Sequence, residues 1–553
     1  MKITEKPIVS VLSNNDKIWA HNFDNFSAKV YVPGNSLPGD VINYGYSAPY
    51  LLVFTESLPD DSEAASYAEK SGLKAIAEKF DSSVVYVTPS TGKSWDDCDE
   101  ELYKELISNS KIHQYHEDGY AILNNRFTKT VDGYAIRGAI YRVFIFAKGK
   151  AADYVASKLL KSITGDGLWG PADICPTVCI LDNLSKAPSV ERRNMPIVSV
   201  NNSTEIDAAI SSATDYFTSF SYSTEIPDFT DVFNSFIYQF KRWGWVGDIS
   251  FEPDFSSIDM IEEPVVTELK TTADNAGDDA GTSTHKVGYI AFYNKNLFDN
   301  GPVPLLLCFH GGGDSAKHIA YVSEWYKVAH DHNFLLVCIE NHINSTASEM
   351  MELLSLLKEK YNIDSKRIYG SGFSMGGCKS WDLYQEYPGV FAGLAPMDAT
   401  FELGLNVYGQ PAPVEINKDT LVPIYYIGGE ETPLPELPFQ ADKCTDRIRY
   451  VFDVNKVIIP YTAKFEDKDN WSNKIWGVDG DKTIVIHDND RDSDLTLNCF
   501  KSNDGNYYTV LGSVSKMGHE CRYHSCEYAW RFLSRFSRTE NGQIVGGSDD
   551  ILL

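Results

Sequence analysis

Residues Gly372-Phe373-Ser374-Met375-Gly376 constrain this chain more tightly than any other segment. They follow the apolar, Arg-led stretch Lys366-Arg367-Ile368-Tyr369 and open a helix-like run that ends at Tyr387-Pro388. A serine with glycines two positions to either side fits a corner between a strand and a helix so sharp that larger neighbours would collide. The corner holds the serine in a strained conformation, and the helix N-terminus behind it favours developing negative charge. Such a serine is a candidate nucleophile, which directs attention to the groups it would need.

Upstream, Pro304-Leu305-Leu306-Leu307-Cys308-Phe309 reads as a buried strand running into His310-Gly311-Gly312-Gly313. Glycines let a loop turn its N–H groups toward the place where an oxyanion forms. The expected donors are the Gly311 and Gly312 segment and the N–H of Met375. His310 reads as a loop-shaping residue and not the base, and with Asp314 it is expected on the substrate side. Downstream, Met517-Gly518-His519-Glu520 precedes a helix ending Tyr528-Ala529-Trp530-Arg531-Phe532-Leu533. His519 is the expected general base. Between them, the strand Val422-Pro423-Ile424-Tyr425-Tyr426-Ile427 leads into Gly428-Gly429-Glu430-Glu431-Thr432-Pro433. Glu431 is the expected acid and Glu430 its near rival. Asp398, in Pro396-Met397-Asp398-Ala399, is a third candidate. Whichever acts would fix the His519 tautomer and stabilise its imidazolium.

Residues about 285–540, through these motifs, resemble the α/β-hydrolase branch containing polyhydroxybutyrate depolymerases, feruloyl esterases and related carbohydrate esterases. The resemblance implies a mostly parallel sheet with helices on both faces. It also implies ester hydrolysis through an acyl-enzyme, with no metal and no organic cofactor. Aryl, hydroxycinnamoyl or hydroxyalkanoate esters are the substrates it suggests, as small molecules or oligomers. The motifs are specific for serine-hydrolase chemistry and weak for substrate, because the fold hosts many reactions. The same triad would serve a peptidase or amidase, and a hydrolase shape used only as a binding scaffold is a third reading. One departure stands out: the interval from Glu431 to His519 is longer than a minimal hydrolase needs. An insertion at about 440–500 is expected to hold a hairpin or cap, with Trp471 and Trp476 as substrate-contacting aromatics and the acidic run Asp488-Asn489-Asp490-Arg491-Asp492.

The N-terminal half reads as a degenerate copy of the C-terminal half. Tyr50 to Ser57 parallels Pro304 to Gly311, with Glu56 where His310 stands. Arg142 to Ala152 parallels Arg367 to Gly377, and Gly149 then replaces Ser374. Met195 to Asn202 parallels Val422 to Gly429, with Thr204 in the slot of Glu431, and no histidine lies between His116 and His285. The expected architecture is α/β throughout: a non-catalytic α/β-hydrolase-like domain over 1–255, then the active domain over 256–553, joined somewhere in 245–285. The first is expected to pack on the second, shape its entrance or mediate a homodimer.

A chain of 553 residues exceeds one ordinary core, which agrees with two domains. A net charge of −28 argues against nucleic-acid and anionic-membrane partners. The longest apolar runs are strand-length, so no transmembrane helix is expected. Met1 to Pro7 lacks the apolar core of a signal peptide, and the ten cysteines show no dense disulfide spacing. Reduced thiols and a cytoplasmic location are expected, with secretion the alternative if a leader has been removed. Three tempting motifs are set aside. Thr91-Gly92-Lys93-Ser94 lacks the first glycine of a phosphate loop. Asp488, Asp490 and Asp492 lack the glycine and glutamate of a calcium loop. His519, Cys521, His524 and Cys526 lie too close together to wrap one zinc.

Overall fold

Runs such as Leu335-Leu336-Val337-Cys338-Ile339, apolar at every position, can be buried only as strands covered on both faces. A computed structural model describes residues 10–34, 49–79, 82–108, 143–159, 178–188, 197–212, 214, 217–233, 255–270, 284–312, 316–340, 342, 345–406, 411–459 and 467–547, with the short strands 42–43 and 126–127. The chain forms two compact units that part near Glu252 and Pro253.

The N-terminal unit contains β1 (Ser10–Val11), β2 (Lys17–Asn22), β3 (Phe26–Val32), β4 (Ile42–Asn43), β5 (Tyr50–Phe54), β6 (Val84–Pro89), β7 (Arg126–Phe127), β8 (Val143–Lys148), β9 (Val178–Asp182), β10 (Ile197–Val200) and β11 (Phe217–Phe220). Its main sheet runs β1-β2-β3-β6-β5-β8-β9-β10-β11, while β4 and β7 pair separately. The pairings are antiparallel up to β3–β6 and parallel from β6 onward.

The C-terminal unit contains β12 (Met260–Lys270), β13 (Thr284–Asn294), β14 (Val303–Phe309), β15 (Leu335–Ile339), β16 (Ile363–Phe373), β17 (Gly393–Met397), β18 (Ile424–Gly429), β19 (Lys482–Asp488), β20 (Ser493–Lys501) and β21 (Tyr507–Val514), followed by the small hairpin β22 (Phe536–Arg538) and β23 (Ile544–Gly546). The sheet order is β12-β13-β15-β14-β16-β17-β18-β21-β20-β19. Its first two pairings are antiparallel, the run from β15 to β21 is parallel, and β20 and β19 return antiparallel. This is the α/β-hydrolase fold with two strands added at one edge. The single exchange of β14 and β15 also occurs in the N-terminal sheet, where β5 and β6 exchange in the same way.

Helices cover the C-terminal sheet because their sequences carry one apolar stripe. Ala347–Lys360 starts at Thr346, whose hydroxyl accepts the Glu349 N–H while the Glu349 carboxylate accepts the Thr346 N–H. Tyr523–Leu533 buries Cys526, Ala529, Trp530 and Leu533, and the Trp530 indole stacks on Phe334 at 3.6 Å. Met375–Glu386 follows β16 directly and crosses the sheet so closely that it tolerates no extra carbon. A Cβ on Gly372 would run into Gly376 O, and one on Gly376 into Phe309 O. Backbone cannot step aside as a side chain can. Gly376→Ala should therefore lower the unfolding free energy by about 1–3 kcal/mol, measured by urea denaturation. No helix among the described residues is long and apolar enough to cross a membrane.

Candidate active site

Ligands of open α/β sheets bind beyond the carboxyl ends of the strands, and the chemistry of this chain collects there. β16 ends at Phe373, and Ser374 turns the corner at φ 54° and ψ −120°, a conformation that non-glycine residues hold only under constraint. Two bonds impose it: Ser374 N–H donates to Met397 O at 3.0 Å, and Ser374 O accepts from Cys378 N–H at 3.0 Å. The N–H of Met375 is one of the first-turn donors that a helix cannot satisfy internally. Gly312 lies against the same residue, since a Cβ on it would come 2.6 Å from Met375 Sδ. Gly312 and Met375 thus share one corner with Ser374, and Gly311 precedes Gly312 on the same loop. Gly313 and Asp314 lie outside the described residues.

His310 is buried and tied down. Its Nδ1 lies 2.7 Å from Gly311 O, its Nε2 2.7 Å from Glu340 O, and its carbonyl accepts from His342 Nε2 at 2.9 Å. The ring therefore shapes the loop and has no free edge for substrate, which corrects the expectation that it contacts one.

His519 arrives on the loop between β21 and the last long helix. Its ring packs on Phe373, the residue before Ser374, with centroids 4.7 Å apart. Among the described residues no hydrogen bond joins Ser374 Oγ to His519. In serine–histidine pairs that contact commonly tightens only when substrate is bound. Behind the ring, Nδ1 stands 3.2 Å from both Glu436 Oε2 and Oε1. Glu436 is 5 % exposed. Thr432 Oγ1 donates to its carboxylate at 3.1 Å, Tyr426 OH to its carbonyl at 2.6 Å, and its own N–H reaches Gln440 Oε1 at 2.9 Å.

The carboxylate facing His519 is thus neither Glu431 nor Glu430. Glu431 is exposed, and its N–H donates to Met517 O at 2.9 Å. Glu430 bonds its N–H to Val514 O and accepts from Ser513 Oγ at 2.8 Å. Both are held along the outgoing edge of β21, and the chain must pass Thr432-Pro433-Leu434-Pro435 before it turns back under the imidazole. Two prolines that forbid a continued strand, followed by Leu437 returning to the core, are the sequence signal that marks this return.

Asp398 is buried at φ 43° at the end of β17. Its Oδ1 accepts the Gly429 N–H at 2.7 Å, and its Oδ2 makes no hydrogen bond. One atom each of Asp398, Glu436 and His519 lie within 4.8 Å of one another, the only such cluster of metal-capable groups among the described residues. Burial first, and the neighbouring Glu436 charge second, push the Asp398 carboxyl well above the usual carboxylate range. The native state therefore keeps a proton that the unfolded chain releases above about pH 4. This proton supports the fold at low pH, and its contribution is lost as pH rises through the native-state value. Asp398→Asn should melt near the parent's temperature at pH 4 and increasingly above it toward pH 8, as calorimetry across that range would record.

The insertion does not present its tryptophans to this site. Trp476 is buried in the core with its ring 5.9 Å from Tyr426. Trp471 is buried beside Lys468, whose ammonium lies 5.7 Å from the ring centroid. Both are packing residues because the segment folds down onto the sheet, ending in the β19–β20 hairpin. Asp488 caps the turn of that hairpin by accepting the N–H groups of Asp490 and Arg491. The four residues of the Cys/His run point to different partners: His519 to Glu436, His524 to Asp488 at 3.2 Å, and Cys521 to Cys526 with sulfurs 3.6 Å apart. The described cysteines are all free thiols.

No family model matches the chain. A bifunctional acetylxylan esterase/xylanase from Neocallimastix patriciarum is 27% identical over 184 residues, which is 32% of this chain and 25% of that protein. The match thus spans about a quarter of the curated relative's length. Among solved structures, an acetyl xylan esterase from Aspergillus awamori aligns at 11% identity over 49% of this chain and 99% of its own, with a TM-score of 0.32. A fluorophosphonate-binding serine hydrolase from Staphylococcus aureus aligns at 15% identity over 35% of this chain and 87% of its own, with a TM-score of 0.26.

Proposed function

We propose that the C-terminal unit of this α/β-hydrolase is a serine carboxylic-ester hydrolase that works through an acyl-enzyme. The observation that carries the reading is a serine forced to φ 54° on a strand-to-helix corner, next to an imidazole backed by a buried carboxylate. Ser374 Oγ attacks the ester carbonyl while His519 Nε2 takes its proton. Glu436 accepts a hydrogen bond from Nδ1–H of His519 and, staying ionised, stabilises the imidazolium. The oxyanion turns toward the N–H of Met375 and the Gly311–Gly312 loop, donors already in place before reaction. His519 returns the proton to the leaving alkoxide. Water then enters, gives a proton to His519 as it attacks the acyl carbonyl, and His519 passes that proton to Ser374 Oγ as the acid product leaves. Burial, by pushing the Asp398 carboxyl upward, disfavours a second charge behind the imidazole.

For substrate, the similarity to an acetylxylan esterase favours short acyl groups on a hydroxylated polymer over hydroxycinnamoyl or hydroxyalkanoate esters. The buried positions of Trp471 and Trp476 remove the argument for an aryl acyl pocket built from them. A panel of p-nitrophenyl acetate, its matched anilide, acetylated xylan, methyl ferulate and polyhydroxybutyrate tests this. Acetate release from xylan is expected to exceed cleavage of methyl ferulate by about tenfold or more in kcat/KM, with little anilide cleavage. No burst with p-nitrophenyl acetate and no fluorophosphonate labelling of Ser374 would sink the reading.

The N-terminal unit is, in this proposal, a hydrolase scaffold without catalysis. Gly149 sits at φ 61° and ψ −125°, nearly the angles of Ser374, and its N–H bonds Asp182 O at 2.9 Å as Ser374 N–H bonds Met397 O. The corner is kept and the hydroxyl is gone. The Glu56 carboxylate accepts the N–H of Lys150 at 2.9 Å, which is the donor corresponding to Met375. An ester carbonyl would meet no nucleophile there and a donor already in use.

A further inference from the structure

The kept corner in the N-terminal unit opens onto a cavity of about 340 Å³ at the carboxyl ends of β5, β8 and β9. That volume falls in the range of small-ligand sites. Phe54, Phe146, Ile180 and Phe229 form its apolar walls, with Tyr67 on one side. Phe146 and Phe229 are packed ring to ring at 5.0 Å within the wall, and Phe54 is stacked at 5.2 Å on Trp95, which lies outside the lining. The polar equipment is sparse. Glu56 and Lys148 are exposed at the rim, and Asp182 is 5 % exposed within.

Asp182 decides what fits. Its Oδ1 accepts from Asn183 Nδ2 at 2.8 Å and from Asn201 Nδ2 at 3.4 Å, whereas Oδ2 has only the Lys148 ammonium at 3.7 Å, beyond hydrogen-bond reach. This carboxylate oxygen, on a residue that is 5 % exposed at the floor of an apolar chamber and short of a hydrogen-bond donor, can accept one from a ligand. A cationic ligand would face Lys148, and an anionic one would face Asp182 and Glu56. A sugar would bury several hydroxyls against walls that offer few partners. A flat apolar ring with one hydroxyl donor matches both the walls and the open acceptor, through a charge-assisted O–H···O bond. Tyr67 adds a hydroxyl that stays protonated, since burial and then the Asp182 charge push its pKa up.

We propose that this cavity is a non-catalytic binding site for a phenolic ring, with the phenol donating to Asp182 and the ring held among Phe54, Phe146 and Phe229. The proposal stands apart from the esterase reading and does not need Ser374. It is tested by calorimetric titration of the full chain with p-cresol, and with 4-methylanisole, benzylamine and xylose as controls. p-Cresol is expected to bind at least about tenfold more tightly than each control. Asp182→Asn should weaken p-cresol about tenfold, and Ala147→Phe, which fills the chamber from its wall, should abolish binding. Thermal melting identifies any variant that fails to fold, and 4-methylanisole, which lacks the donor, tests the same bond without a mutation. No p-cresol binding at millimolar concentration, equal binding of 4-methylanisole, preference for benzylamine or xylose, or p-cresol affinity unchanged in both folded variants would each overturn it.

Discussion

Ser374→Ala should lower kcat for ester hydrolysis by about 10⁴–10⁶-fold while leaving the melting temperature close to that of the parent. The size follows from how a triad works: with no oxygen to attack, the histidine and carboxylate have nothing to activate, and only the oxyanion donors and substrate binding continue to help. Stability should hold because alanine keeps the same Cβ at φ 54°, so the constraint imposed by Met397 O and Cys378 N–H is unchanged. Steady-state kinetics with p-nitrophenyl acetate, together with loss of fluorophosphonate labelling, provides the check. A residual rate within tenfold of the parent would place the nucleophile elsewhere.

The second large effect separates Glu436 from its neighbours. Glu436→Gln should reduce kcat by about 10³–10⁴-fold, because an amide facing Nδ1 no longer stabilises the imidazolium and can hold the wrong tautomer. Glu431→Gln and Glu430→Gln should each stay within about twofold, since their side chains bond elsewhere or meet solvent. The three variants measured side by side on one ester give the answer. Loss confined to Glu431→Gln would restore the residue that the loop pattern favours.

The reason that pattern misses the carboxylate facing His519 is physical. The corner at Ser374 announces itself within five residues and can be read from the chain alone, although what crowds Gly376 is Phe309 O of a neighbouring strand. The partner of His519 is not local. It depends on where β18 stops pairing with β21, because the bonds from Glu430 N–H to Val514 O and from Glu431 N–H to Met517 O hold both residues beyond the carboxyl ends of these strands. Only the turn through Pro433 and Pro435 brings a carboxylate back, and a period-based reading has no view of that path. Trp476 illustrates the same limit. Aromatic residues in a polar stretch look available to a ligand, but this one is covered by Tyr426 from a strand some fifty positions earlier. In the N-terminal half, spacing pairs Gly149 with Ser374, and the backbone angles at those two positions agree to within a few degrees. What spacing could not reveal is the chamber beside Gly149, which exists because side chains from β5, β8, β9 and the Phe229 loop meet in space.

The added hairpin has a consequence for the behaviour of the molecule in a crowded solution. Every residue of β21 is buried, and without β20 and β19 its outer rim of amides and carbonyls would lie open beside an apolar surface. Such a rim templates the growth of intermolecular sheet. The hairpin moves the boundary outward to Lys482–Asp488, a strand with charged groups and alternating exposure. The segment between the carboxylate and the histidine thereby shelters the flank of β21, and it leaves Val485, 60 % exposed, as the apolar point of the new edge.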